Sequence, residues 1–237
     1  ANDTPYGLSS YVFGDTHGNV VSLFERECTL QRRHQKVVEE APSIAITAQR
    51  RSEMSAATHT SSQAEDYVRP GTLEFITDAG GFYFIEMNTR LQVEHPVTEM
   101  ITGLDLVEWQ LRVASGDPLP RRQDHVTAEG HAIEARIYAE NPDKGFLPAT
   151  GAIRAWREPI GEGIRVDTGF RTGDKVTPYY DALLAKLIAF GADRPQALGR
   201  MVEALAAFEI AGVTTNRAFL EALLSHPQVA AGDIDSG

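Results

Sequence analysis

Cysteine is nearly absent: Cys28 is the only one, so no disulfide can form within the chain. A lone thiol suits a reducing compartment, and a cytoplasmic location is the expectation. Long apolar runs are missing too. None approaches the ~20 residues that a membrane-spanning helix needs. The start shows no basic-then-apolar signal segment. It also lacks an initiator Met, so the natural start is expected upstream. Basic residues are outnumbered, 22 Lys and Arg against 33 Asp and Glu, for a formal net charge of -11. Such a chain repels nucleic acid and anionic membranes, so neither is an expected partner.

What is present is enough to fold. The chain has 237 residues, 42% of them hydrophobic, which supports one large domain or two small ones. Tyr11 to Val21 reads as two short strands around a turn at 14–19, with Val20 to Arg26 returning. Thr47 N-caps a helix running to about Ala64. Gly71 to Met87 reads as a hairpin of strand formers joined by Asp78-Ala79-Gly80-Gly81. A helix from Asp105 to Ser115 stops at Gly116. Short strands follow at Ala132–Tyr138, Ala152–Trp156 and Ile164–Val166, then helices over Pro195–Phe208 and Asn216–Ser225. The order is α+β, with a boundary expected between Gly116 and Gly130, dividing residues 1–118 from 119–237.

The hairpin carries the chemistry. With Gly80 at its apex, Glu74 lies opposite Glu86 on one face. Opposed carboxylates repel at ~5 Å. Mg²⁺ would compensate them, since it takes one or two carboxylates plus substrate phosphates; an exposed strand face is the plainer alternative. Beyond the hairpin, Glu86, Asn88, Arg90, Gln92 and Glu94 fall on alternate positions. If the chain stays extended, one face carries acid, amide, cation, amide and acid. An Arg between carboxylates can hold a small planar anion beside a base. Arg32, Arg33, His34 and Lys36 form a basic cluster, either a local anion site or, more commonly, a solvated face. Cys28 reads as a small packed residue.

Three blocks carry a resemblance. Glu86-Met87-Asn88-Thr89-Arg90-Leu91-Gln92-Val93-Glu94-His95-Pro96-Val97-Thr98-Glu99 is similar to the signature of biotin carboxylases. Gln31 to Pro42 and His131 to Glu140 resemble two further blocks of that family. The resemblance runs from about Val12 to the end, and three ordered blocks are far more specific than one short motif. It implies the C-terminal portion of an ATP-grasp domain followed by the biotin carboxylase C-terminal α+β domain. It also implies ATP- and Mg²⁺- (or Mn²⁺-) dependent carboxylation of biotin by bicarbonate, through carboxyphosphate. Glu74 and Glu86 would hold the metal, with Asn88 assisting. Arg90 would bind bicarbonate with Gln92 and the Val93 backbone, and Glu94 would deprotonate it. Arg136 would stabilise the biotin enolate. Lys36 would contact phosphate and bicarbonate, Gln31 and His34 would lie along the nucleotide, and Asp181 would lie at an interface between paired carboxylase domains.

Implied partners are bicarbonate, a biotin carrier domain, a carboxyltransferase subunit, a second carboxylase copy and the N-terminal half of the enzyme. That half, with its Gly-rich phosphate lid, has no counterpart here, so the chain alone is expected to be inactive. The family's His-x-Glu-x-Gln is replaced by Gly7, Ser9 and Tyr11. Arg69-Pro70 stands where the family prefers small residues, and Pro70 removes a backbone donor. Two other functions stay open: an ATP-grasp ligase of the carbamoyl-phosphate-synthesising kind, and a non-catalytic relic that acts as an interaction module.

Overall fold

The computed structural model describes residues 6–32, 35–64, 67–78 and 80–234. Of the expected site residues, His34 falls outside them. The backbone divides into two compact units, one of residues 6–132 with Ile234 and the other of Ile133–Asp233.

The first unit is a sheet with helices on both faces. β1 (Tyr6–Gly14) and β2 (Val20–Glu27) form a hairpin. Two-residue strands β3 (Gln31–Arg32) and β4 (Gln35–Lys36) pair with each other, and β5 (Val38–Ala41) follows. After α1 (Ala48–Ala64) come β6 (Arg69–Asp78) and β7 (Gly81–Asn88). Within this unit the strand order is β5-β2-β1-β6-β7, with β7 at the edge. Two short helices, α2 (His95–Thr102) and α3 (Leu106–Ala114), close it.

Strand alternation divides the core. Tyr11 and Phe13 of β1 pack with Leu106, Trp109 and Val113 of α3. Leu8 and Val12 point the other way, onto Met54 of α1 and onto Leu73 and Phe75. Phe13 meets Trp109 edge-on, with ring centroids 5.9 Å apart. Local chemistry sets the helix ends. Thr47 Oγ1 accepts the Arg50 amide, and Asp105 accepts the Glu108 amide, which caps α3. Gly103 ends α2 in the left-handed region.

The turn between β1 and β2 is tied down by one carboxylate. Asp15 accepts the amides of His17, Asn19 and Leu119 and the side-chain amide of Asn19. Arg69 takes φ +127°, a conformation costly for a side-chain-bearing residue. Pro70 is nonetheless accommodated in β6 opposite Phe13, with its carbonyl accepting the Tyr67 hydroxyl.

The second unit opens within β8 (His131–Tyr138), followed by the short strands β9 (Glu140–Asn141) and β10 (Leu147–Pro148). Where one strand was expected over Ala152–Trp156, the chain makes two, β11 (Gly151–Ala152) and β12 (Ala155–Arg157). β11 pairs with β14 (Lys175–Val176), which follows β13 (Ile164–Thr168); β12 pairs with β16 (Glu209–Ala211). Different partners, not a break in propensity, divide that segment. β15 (Leu183–Gly191), with no counterpart in the sequence reading, joins β13 to β8. α4 (Arg194–Ala207) packs on β15, and α5 (Arg217–Leu224) and α6 (Pro227–Ala231) finish the unit.

Candidate functional site

Two strand irregularities aim the polar residues of the first unit. In the β6–β7 hairpin Asp78 pairs with Gly81 and Phe75 with Phe84, a register that would set Glu74 opposite Ile85. The register then shifts by one residue, so Glu74 faces Glu86 and Thr72 faces Asn88. The shared face was thus correctly expected, but it depends on this bulge. A second shift separates Ser10 from Val12 along the β1–β2 pair, where Phe24 adopts φ +67°. It moves Arg26 onto the face of Ser9. The combined registers align Arg26, Ser9, Glu74 and Glu86 in one row, with Tyr11, Thr72 and Asn88 in the next.

Lys36 reaches this face from β4. Its Nζ donates to Glu94 Oε1 at 2.8 Å and to Glu74 Oε1 at 3.1 Å. Gln92 Nε2 donates to Glu74 Oε1 at 3.3 Å. Asn88 Nδ2 donates to both Glu74 and Glu86, at 3.2 and 3.1 Å. Burial alone would lower the Lys36 pKa; the neighbouring groups, among them the Glu94 and Glu74 carboxylates it bonds, oppose this and hold the ammonium above its usual value. Cys28 is not a charged partner at neutral pH, because burial pushes its thiol up to about 11. That agrees with its reading as a packed residue.

The structure corrects one expectation. The chain does not stay extended from Glu86 to Glu94: β7 ends at Asn88. A turn then leads into α2, in which the His95 and Val97 amides bond to the Gln92 and Glu94 carbonyls. Pro96, in the first helical turn, favours that start. Gln92 and Glu94 are buried, at 4% and 2% exposure, by this turn. Arg90 stays exposed, its guanidinium on the Leu91 carbonyl at 3.3 Å, and is not drawn into the Lys36 cluster. Val93 is half-buried and Gln31 exposed. In the second unit Arg136 is buried on β8, with Nε 4.0 Å from Glu134 Oε1. Asp181 is exposed and accepts the Leu183 amide.

Sequence reasoning missed Arg26. It is fully buried, and its guanidinium reaches Thr98, Thr72 and Gln92, with Glu94 Oε1 at 3.8 Å. A signal existed: Glu25-Arg26-Glu27 is a charged triplet in a strand. Alternation forces it to place charge on both faces, so some must be buried or paired.

The residues on the sheet fit a divalent cation. Among the described residues no group of three or more His, Cys, Asp or Glu side chains is gathered as a metal cage. Magnesium does not need one, since it takes one or two carboxylates and completes its shell with phosphate and water. Glu74 and Glu86 supply two hard oxygen donors close enough for one amide nitrogen to bond both. That nitrogen stands where a positive partner would, and a flipped Asn88 amide would offer a third oxygen.

Comparison with known proteins agrees with this geometry. Residues 6–122 match the family model described as carbamoyl-phosphate synthase L chain, ATP binding domain. Residues 134–237 match the biotin carboxylase C-terminal domain. The methylcrotonoyl-CoA carboxylase alpha subunit of Glycine max is 50% identical over 98% of this chain and 32% of its own length. The human propionyl-CoA carboxylase alpha chain is 48% identical over 99% of this chain and 32% of its own. Among solved structures, the biotin carboxylase domain of a thermophilic 2-oxoglutarate carboxylase bound to bicarbonate superposes with TM-score 0.96 at 43% identity. That match covers all of this chain and 54% of the other. The corresponding domain dimer from Hydrogenobacter thermophilus, in complex with MgADP, ADP and bicarbonate, also gives 0.96, at 44% identity over 98% of this chain and 51% of that one. The chain thus spans about a third of these curated relatives and about half of these solved domains. Residues 6–122 thus belong to that ATP-binding domain family and residues 134–237 to the biotin carboxylase C-terminal domain family.

Proposed function

We propose that this chain supplies the metal-facing and bicarbonate-facing part of a biotin carboxylase, which carboxylates biotin with ATP and bicarbonate. The observation that carries the reading is the bridge at Lys36. One ammonium joins Glu94, the candidate base, to Glu74, a candidate metal ligand, at 2.8 and 3.1 Å. In this reading Glu74 and Glu86, with Asn88, would hold Mg²⁺, which when bound would supply positive charge against the phosphates. Gln92 and the Val93 backbone hold bicarbonate, and Arg90 swings in from the surface to clamp it bidentately. Glu94 takes the bicarbonate proton. Lys36 stays charged beside the phosphate and bicarbonate oxygens. Gln31 and His34 line the nucleotide. Arg136 stabilises the enolate of biotin, a task for fixed positive charge.

ADP, magnesium and bicarbonate are named with the related Hydrogenobacter domain, and its pairing as a dimer supports a second copy as partner. A biotin carrier domain and a carboxyltransferase are the further partners of this reading. Phosphoryl transfer depends on positioning around the whole triphosphate, and this chain spans about half of the related domains. The purified chain alone should therefore form no carboxybiotin. Supplying the N-terminal half of a related carboxylase should restore ATP- and bicarbonate-dependent carboxybiotin formation, and Glu86→Gln should abolish it. Activity that persists in Glu86→Gln, or none on complementation of a folded chain, would overturn the reading in favour of an interaction module.

A further inference from the structure

The cation Arg26 is buried beside Gln92 and Glu94 of the candidate site. Its side chain has 0% exposure. Nη1 donates to Thr98 Oγ1 at 3.3 Å. Nη2 donates to Thr72 Oγ1 at 3.1 Å and to Gln92 Oε1 at 2.7 Å. The same nitrogen lies 3.8 Å from Glu94 Oε1. The Tyr11 ring underlies the guanidinium at 5.0 Å, a cation–π seat. These contacts tie β1, β2, β6 and α2 to the turn that carries Gln92 and Glu94.

The consequence lies in direction as well as adhesion. An amide has one oxygen and one NH₂ end. Because Arg26 takes the Gln92 oxygen, the Gln92 nitrogen is turned to Glu74, 3.3 Å away. Glu94 is likewise held from two sides, with Lys36 at 2.8 Å and Arg26 at 3.8 Å. A planar fork of fixed donors can do both tasks at once; an ammonium is a point charge on a flexible stem.

We propose that Arg26 is a positioning residue for bicarbonate handling: it touches no substrate but fixes the Gln92 amide and the Glu94 carboxylate in their working orientations. The inference rests on the bicarbonate reading of Gln92 and Glu94. It predicts a loss confined to bicarbonate, unlike the general loss caused by a weakened core.

The test uses a complete carboxylase subunit carrying this sequence, measuring kcat and KM separately for ATP and for bicarbonate, with thermal unfolding of each variant. Arg26→Lys keeps the charge and loses the fork. It should lower kcat/KM for bicarbonate by roughly 10- to 100-fold, the usual scale for removing the support of a functional ligand. The KM for ATP should stay within about 3-fold of wild type. Should Arg26→Lys not fold, Thr98→Val removes one anchor of the guanidinium without adding bulk, and should produce a smaller loss of the same kind. Glu94→Gln serves as reference. If Glu94→Gln is impaired on bicarbonate and Arg26→Lys and Thr98→Val are not, the positioning role is wrong while the bicarbonate reading stands. Equal losses on ATP and bicarbonate in the Arg26 variant would also overturn it, in favour of a purely structural cation. If Glu94→Gln is as active as wild type, the bicarbonate reading itself falls.

Discussion

At the scale of single residues, the first unit buries more charge than a core ordinarily tolerates. Glu25, Arg26 and Glu27 of β2 are each at most 2% exposed. Each has partners. Arg51 forks onto Glu25 through Nε at 2.8 and 2.9 Å, and Ser43 bonds Glu27. Tyr11, beneath Arg26, is different: its hydroxyl is buried and has no hydrogen-bond partner among the described residues. Burial, ahead of the neighbouring charges, raises its pKa, so the phenol stays neutral. A buried hydroxyl without a partner costs about 1–3 kcal/mol of desolvation, while the ring keeps its packing and its place under Arg26. Tyr11→Phe should therefore leave stability unchanged or raise it by about 1 kcal/mol, as read from urea unfolding of the chain. A loss of similar size would mean that the hydroxyl is bonded. The resemblance marked Tyr11 as a departure from the family pattern; its place under Arg26 was not legible, because it depends on the bulged register of β1 against β2.

At the scale of elements, legibility followed pattern strength. The hairpin, α1, α3, α4 and α5 carry caps, turn residues or clear periodicity, and they form close to where the sequence places them. β15 was missed because Leu183–Gly191 is an almost unbroken apolar run that serves a buried strand or a buried helix equally well. α2 was missed because its eight residues hold barely two turns. The two bulges were out of reach, since an extra residue in a strand leaves no mark on composition, yet they decide which face Arg26 and Glu86 occupy. Arg69 shows a departure of the opposite kind. The small residue that the resemblance implies there would suit its φ of +127°, which a glycine adopts freely. Its side chain is exposed and, among the described residues, bonds its neighbour's carbonyl. Arg69→Gly should thus relieve more strain than it adds in chain entropy, a net gain of about 1 kcal/mol seen as a higher melting temperature. Destabilisation would show that the Arg69 side chain holds the turn into β6.

The β1–β2 turn makes a pH-dependent prediction. Burial would raise the Asp15 pKa, but the Asn19 side chain and the Leu119, Asn19 and His17 amides outweigh it and hold the carboxyl below its usual 3.8. A carboxyl depressed in the folded state stabilises it above the unfolded pKa and loses that contribution as pH falls through the folded one. Asp15→Asn should cost about 1–2 kcal/mol at pH 7, the scale of hydrogen bonds to a charged group. The gap to wild type should close as pH drops below 4 in parallel unfolding curves. A gap independent of pH would assign the effect to the lost geometry of the turn instead of its charge.

For the whole molecule, the question is how a segment covering about a third of its curated relatives comes to carry such a complete polar cluster. The answer lies in topology. β2, β1, β6 and β7 lie side by side and align Arg26, Ser9, Glu74 and Glu86, while the loop before α2 and the β3–β4 pair deliver Gln92, Glu94 and Lys36 onto the row. Every one of these residues lies in the first unit, so the cluster is assembled locally. In the proposed reading Glu94 removes the bicarbonate proton while taking no part in holding the nucleotide. The most direct test compares wild type and Glu94→Gln in a complete subunit carrying this sequence, by ATP affinity and by the rate of carboxybiotin formation. We predict an ATP Kd within about 2-fold of wild type and a carboxylation rate lower by ~100-fold or more, the scale of losing a general base. Equal losses of ATP binding and carboxylation would contradict the account and make Glu94 a structural or metal-supporting residue.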